Sequence, residues 1–86
     1  MPRTLTAQRF VVPLAQRKKH LDRMRARRAY YLGAGCRFWV FEEIDLTGAF
    51  MEFIEAGDAA TLKAALANAP ERFNDPARIY HEMELE

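Results

Sequence analysis

The 86-residue chain has one cysteine, Cys36, which excludes an internal disulfide, a thiol pair and a cysteine-built zinc site and fits a reducing compartment. Long apolar runs are absent as well. The longest uncharged apolar stretch covers residues 38–41, far short of the roughly 20 residues that a membrane-spanning helix needs. No basic segment followed by an apolar one opens the chain, so the expectation is a soluble cytoplasmic protein with no membrane partner. A glycine-rich phosphate loop, a His-Glu-x-x-His pair and an acidic calcium loop are all missing, so the motifs give no support for a nucleotide, a cofactor or a metal.

What the chain has is apolar material: half of its residues are hydrophobic and ten are aromatic. That is enough for one core, and the length holds one domain, residues 1–86. Charge is divided unevenly. Residues 1–37 carry ten of the thirteen Lys and Arg against one acid, Asp22, whereas residues 38–86 carry three basic residues and eleven acids. The fold must bring a basic element against an acidic one, within the domain or a dimer. A basic helix is also the footprint of a nucleic-acid binder, through Arg17, Lys18, Lys19, Arg23 and Arg27. The aromatic strands, however, end in Glu42, Glu43 and Glu55, which repel phosphates, so nucleic acid is disfavoured as a partner.

Residues 3–12 are rich in β-branched side chains and read as a strand closed by Pro13. Residues 14–32 contain no helix breaker and are followed by Gly33 and Gly35, which predicts a helix of about five turns. Residues 36–44 and 49–56 are aromatic-rich runs around Asp45-Leu46-Thr47-Gly48, the composition of a β-hairpin. Asp58 caps a short helix over residues 59–67, ended by Asn68 and Pro70. Residues 71–76 read as a loop. Residues 78–85 alternate Ile79, His81, Met83 and Leu85 against Tyr80, Glu82 and Glu84, the period of a half-buried strand. The order βαββαβ predicts an α+β, ferredoxin-like fold: a four-stranded antiparallel sheet with both helices on one face.

The hairpin's register follows from its side chains. A turn about Leu46 sets Arg37 opposite Glu55, Trp39 opposite Phe53 and Phe41 opposite Met51 on one side, with Phe38 opposite Ile54 on the other. Both faces of the sheet are then apolar, although helices cover only one. An aromatic patch of that size marks an interface, and the simplest cover is a second copy packed sheet to sheet as a homodimer.

The run Ala34-Gly35-Cys36 leading from a long helix into an aromatic strand, the acidic end Glu42-Glu43, the turn at Gly48, residues 50–55 and the helix carrying Leu62 together resemble the antibiotic-biosynthesis monooxygenase-like family. More loosely they resemble the NIPSNAP-type proteins. The element order agrees over residues 3–86 and the specific motif over about residues 34–66. The resemblance implies a dimeric α/β barrel with an apolar pocket between sheet and helices. In family members that are enzymes, that pocket holds a small aromatic or polyketide-like substrate, often without metal or flavin. The chain therefore leans towards a cofactor-independent monooxygenase, isomerase or cyclase, the alternative being a non-enzymatic ligand-binding or interaction dimer of the same fold.

On a helical wheel Leu14, Leu21, Met24, Tyr31 and Leu32 form the apolar stripe, with Arg28 inside it and Arg17 at its start. Arg28 either runs its stem along apolar surface to water or anchors an anionic oxygen in the pocket. Glu52 shares a strand face with Phe50 and Ile54. It is a candidate for proton transfer, or else the ion-pair partner of Arg9 or Arg28. His81 lies on the apolar side of the last strand and is the second catalytic candidate, as a general base, with a hydrogen-bonded core histidine as the plainer reading. The strand between them sets Glu52 and His81 about 10 Å apart. Tyr31, Trp39, Phe41 and Phe53 are candidate ligand contacts, packing alone being sufficient for each. His20, at the edge of the stripe, reads as solvated, and Cys36 as a small buried apolar residue.

Overall fold

In the computed structural model, which describes residues 2–71 and 78–85, the first strand is central. Strand β1 (Thr4–Val11) runs antiparallel to β3 (Ala49–Ala56) on one side and to β4 (Tyr80–His81) on the other. Among the described residues strand β2 (Arg37–Glu42) pairs with β3 alone, giving the sheet order β2-β3-β1-β4. Helix α1 (Arg17–Gly33) follows β1 through a 3-10 turn at Leu14–Gln16, and α2 (Ala59–Ala67) follows β3. This is the ferredoxin-like arrangement. Beyond Glu71, the loop expected over residues 71–76 lies outside the described residues.

Local chemistry sets the boundaries. Pro13 turns the chain, and its carbonyl accepts the Gln16 N–H at 2.9 Å. The far end of α1 closes through Gly35, whose φ of +82° lets the Cys36 N–H donate back to the Tyr31 carbonyl at 2.9 Å. Asp58 accepts the Thr61 N–H at 2.7 Å and its hydroxyl at 3.0 Å, a complete N-cap for α2. These bonds to the anion, the backbone donor foremost, also lower the Asp58 pKa.

Both helices pack on the same face. Tyr31, Cys36, Phe38, Ile54, Leu62 and Ala65 form the centre of the core, and the Tyr30 hydroxyl ties the helices together by donating to the Ala65 carbonyl at 2.7 Å. The β2–β3 register is the expected one, with Arg37 opposite Glu55, Trp39 opposite Phe53 and Phe41 opposite Met51. Alternation along the strands sends Ile54 and Glu52 towards the helices and Phe53 and Met51 to the open face.

Two expectations need correction. The buried stripe of α1 is His20, Met24, Arg27 and Tyr31, so the helix is rotated by about 60° from the wheel that apolar residues alone define. Leu14 and Leu32 are exposed, as is Arg28, and His20 is 7 % exposed rather than solvated. The cause is polar: buried Glu52 on β3 takes the guanidinium of Arg27. The last strand is also shorter than residues 78–85. Only Tyr80 and His81 pair, with Leu5 and Thr4, and the Glu82 N–H adds a bond to the Arg3 carbonyl at 2.7 Å. Pro2 has no N–H to extend the ladder, and Met83 and Leu85 stand exposed beyond it. Among the described residues no helix is long and apolar enough to cross a membrane.

Candidate functional site

A buried ionic cluster lies between α1 and the sheet. Glu52 is 1 % exposed, and its carboxylate accepts from Arg27 twice, from Nε at 2.9 Å and from Nη2. Arg27 also donates through Nη1 to Glu71 at 3.3 Å, while Arg23 donates to the same carboxylate at 3.0 Å. Burial works against the charge of Arg27, but the hydrogen bond and the field of Glu52, aided by Glu71, outweigh it and raise its pKa. His20 sits beside this pair, sandwiched between the rings of Phe10 and Phe50 at 5.3 and 5.4 Å. Its Nε2 is 3.8 Å from Glu52, too far for a hydrogen bond, and has no hydrogen-bond partner among the described residues. Burial, seconded by the neighbouring Arg27 charge, lowers the His20 pKa against the opposing pull of Glu52, so the ring is neutral at pH 7.

Beside the cluster a cleft of about 470 Å³ opens between α1 and the edge strand β2. Leu21, Met24, Phe38 and Val40 give it an apolar floor, and Arg25 and Arg28 stand on the helix side. One end is closed by a fork of two bonds from Arg17 to Glu42, at 2.6 and 3.0 Å, with the Arg17 guanidinium 5.4 Å from the Phe50 ring centre. The Arg17 hydrogen bond, together with the Gly48 N–H at 2.9 Å, holds the Glu42 carboxyl at a pKa of about 2.

The opposite face of the sheet carries a second concavity of about 480 Å³, built from Leu5, Trp39, Phe41, Phe53 and Tyr80 with His81 at its edge. Phe41 and Phe53 meet edge to face at 5.7 Å. Trp39, Phe41 and Tyr80 are 39, 61 and 53 % exposed. Arg3 bridges Glu55 and Glu82 at 3.2 and 2.8 Å along the rim. Among the described residues no three His, Cys, Asp or Glu converge as metal ligands.

Solved structures with this architecture supply a comparison. A conserved protein of unknown function from Bacteroides thetaiotaomicron, a possible oxidoreductase, superposes with a TM-score of 0.67 at 19 % identity over 94 % of this chain and 93 % of its own. A candidate antibiotic biosynthesis monooxygenase from Bordetella bronchiseptica gives 0.61 at 12 % identity over the whole of both chains. A Pseudomonas aeruginosa protein gives 0.64 at 18 % identity over 99 % of this chain and 95 % of its own. The chain shares the ferredoxin-like fold of these proteins, one of them a candidate antibiotic biosynthesis monooxygenase. No family model and no curated protein matches the sequence.

Within this fold the expected site residues divide between two faces. Glu52 and Tyr31 lie on the helix side, both buried. Tyr31 stacks on Phe38 with ring centres 6.0 Å apart, and burial, with Tyr30 adding to it, pushes its hydroxyl up to about 12. Arg28 stands in the helix–strand cleft. Trp39, Phe41 and Phe53 border the concavity on the open face; His81, which pairs with Thr4 at the sheet's edge, reaches only its margin and is exposed rather than packed in an apolar core. Strand β1 separates β3 from β4, as expected. Glu52 is paired with Arg27, whereas Arg9 pairs with Glu43 at 2.9 Å. Sequence reasoning missed His20 and Arg27. Their signal was the 4-3-4 spacing of His20, Met24, Arg27 and Tyr31, which a wheel counting apolar residues alone does not register.

Proposed function

We propose that the chain is a sheet-to-sheet homodimer that takes a small aromatic or polyketide-like compound into the cleft between α1 and β2. There it turns the compound over without a bound cofactor, as an oxygenase, isomerase or cyclase. The observation that carries this reading is the cleft: about 470 Å³ with an apolar floor, of the size and lining that small-molecule sites have. It lies between helix and sheet in a fold whose solved examples include a candidate monooxygenase and a possible oxidoreductase. Fold likeness alone does not choose a reaction. Support for the dimer comes from the open face, where Trp39, Phe41 and Tyr80 form an exposed aromatic patch with charges of both signs at its rim.

Of the two proton-transfer candidates, Glu52 lies on the helix side of the sheet beside this cleft, whereas His81 does not line it and would act only on a compound at the other concavity. One observation favours a second reading, ligand binding without turnover: Arg27 already occupies both oxygens of Glu52. Native mass spectrometry of the purified chain tests assembly and ligand together. A dimer carrying a small-molecule adduct is the expected result, and a stable monomer refutes the sheet-to-sheet assembly. Trp39→Glu, which sets a charge in the middle of the patch, is expected to convert the dimer to monomer in sedimentation velocity. For the chemistry, oxygen uptake or product formation with a panel of polycyclic phenols should be lost in Glu52→Gln, with circular dichroism verifying the fold, whereas His81→Ala should leave it unchanged because His81 does not line this cleft. Binding with no turnover in the parent chain decides for the second reading.

A further inference from the structure

We propose that the occupant of the α1–β2 cleft is an amphipathic organic anion, a flat apolar body bearing a carboxylate or an equivalent oxyanion, and that Arg28 and Arg25 hold the charged end. This rests on the reading of the cleft as the ligand site and adds the chemical class of the ligand.

The argument is one of charge and placement. Arg17, Arg25 and Arg28 line the cleft, and the acid that lines it with them is Glu42. Glu42 is spent on Arg17, which engages both of its oxygens. Arg25 is held by Asp22, three residues back on the same helix, at 2.9 Å. Both partners of that pair are more than 60 % exposed, and such a contact is readily exchanged for another anion. Arg28 makes no ion pair or side-chain hydrogen bond among the described residues, although eleven acids lie in residues 38–86. Every other arginine of α1 has found one: Arg17 with Glu42, Arg23 and Arg27 with Glu71, Arg25 with Asp22.

Solvation alone would explain a lone surface guanidinium, but Arg28, although exposed, stands at the rim of an apolar cleft. Residues 17, 21, 24, 25 and 28 share one side of α1. The floor beneath Arg28 is Leu21, Met24, Phe38 and Val40, so an apolar ligand there brings the guanidinium out of water as it binds. A cation so desolvated needs an anion, and a carboxylate can meet the arginine fork with two parallel bonds. A neutral ligand would leave Arg28 unpaired at its edge. The aromatic walls Phe38 and Phe50 suit a planar body.

The test uses 1-naphthoate and its neutral analogue 1-naphthamide, titrated calorimetrically into the intact purified chain at low and at physiological salt. Naphthoate is expected to bind at least tenfold more tightly than the amide, with the advantage shrinking as salt rises. Arg25→Gln/Arg28→Gln should bring naphthoate down to the affinity of the amide and leave amide binding within about twofold. Lys18→Gln/Lys19→Gln, which removes the same two charges from the same helix outside the cleft, should change neither. Both arginines are exposed, and unchanged circular dichroism verifies that the variants fold. Equal binding of the two probes refutes the anion proposal while leaving the cleft as a ligand site. Binding of neither refutes both. A naphthoate preference that survives the arginine replacements also refutes the proposal, because the anion is then held elsewhere.

Discussion

Replacing Arg27 by methionine removes the guanidinium that neutralises Glu52 while keeping most of the side-chain length. Glu52 is 1 % exposed, and Arg27 meets both of its oxygens, so the variant leaves a buried carboxylate without its main partner. Breaking such a pair from one side costs about 3–5 kcal/mol. A domain of this length holds roughly 4–13 kcal/mol in total, so the loss is a large share of its stability. At a urea slope of about 1–3 kcal/mol per M, the unfolding midpoint followed by Trp39 fluorescence should fall by at least about 1 M. The double variant Arg27→Met/Glu52→Leu removes both charges and should return to within about 2 kcal/mol of the parent, since apolar replacement of a buried pair is often neutral. A third readout is independent of stability. Arg27 is the second-largest influence lowering the His20 pKa, and Glu52 opposes it, so in Arg27→Met the His20 ring should take up its proton at higher pH in NMR titration. All denaturation must be done at one protein concentration, because association would add to the apparent stability. The reasoning is refuted if Arg27→Met costs less than about 1 kcal/mol or if the two single losses simply add in the double variant.

The same histidine predicts a pH window. Its pKa is lowered in the folded chain, so below the unfolded value of about 6.5 the unfolded chain binds more protons and stability falls as pH drops, by at most about 1.4 kcal/mol per pH unit. His20→Phe should abolish the slope between pH 6.5 and 5, and a slope that persists contradicts the assignment. Glu42, Glu71, Glu82 and Asp58 all have lowered pKa values. Their contributions are present above about 4.5 and are lost as pH falls through their folded values, so they titrate in a separate, more acidic window. Gly48→Ala should cost about 2 kcal/mol or more in urea unfolding, because φ is +91° and a Cβ would lie 2.4 Å from the Val12 carbonyl oxygen. Gly35→Ala should cost less: its φ is +82°, but the nearest atom to a Cβ is a Thr61 methyl at 3.9 Å, and an equal loss at the two sites would contradict that distinction. Asp58→Ala should cost about 1 kcal/mol as a lost N-cap, and a change within 0.2 kcal/mol would show the cap to be unnecessary.

The element order and the hairpin register were legible in the sequence because each had a short-range signal. Gly48 with Asp45 marks the turn, and the matches of Arg37 with Glu55 and Trp39 with Phe53 admit one alignment in which a charged and an aromatic pair coincide. The rotation of α1 was not legible. It depends on Arg27 finding Glu52, twenty-five residues away, and a wheel that scores arginine as surface places Arg27 outside by construction. The last strand failed for a related reason: period two says which side chains share a face, but not whether backbone exists beside it to accept the bonds. The split of the candidate site followed from the register itself, since adjacent Glu52 and Phe53 must point to opposite faces of β3.

Arg27 and Arg28 are neighbours set about 100° apart on the helix, so only one can face the sheet. Capture of Arg27 by Glu52 turns Arg28 into the cleft beside β2; had Arg28 been captured, as the apolar stripe suggested, the cleft would have lost the guanidinium that makes no ion pair among the described residues. The buried pair thus orients α1 as well as stabilising it, and the two roles can be separated. In Arg27→Met/Glu52→Leu the core is apolar and stability largely restored, but nothing polar selects the rotation of the helix. If the pair serves orientation, that variant should regain its urea midpoint yet lose the preference for 1-naphthoate over 1-naphthamide, as α1 relaxes towards its apolar stripe. If packing of Met24 and Tyr31 alone holds α1 in place, midpoint and preference should return together.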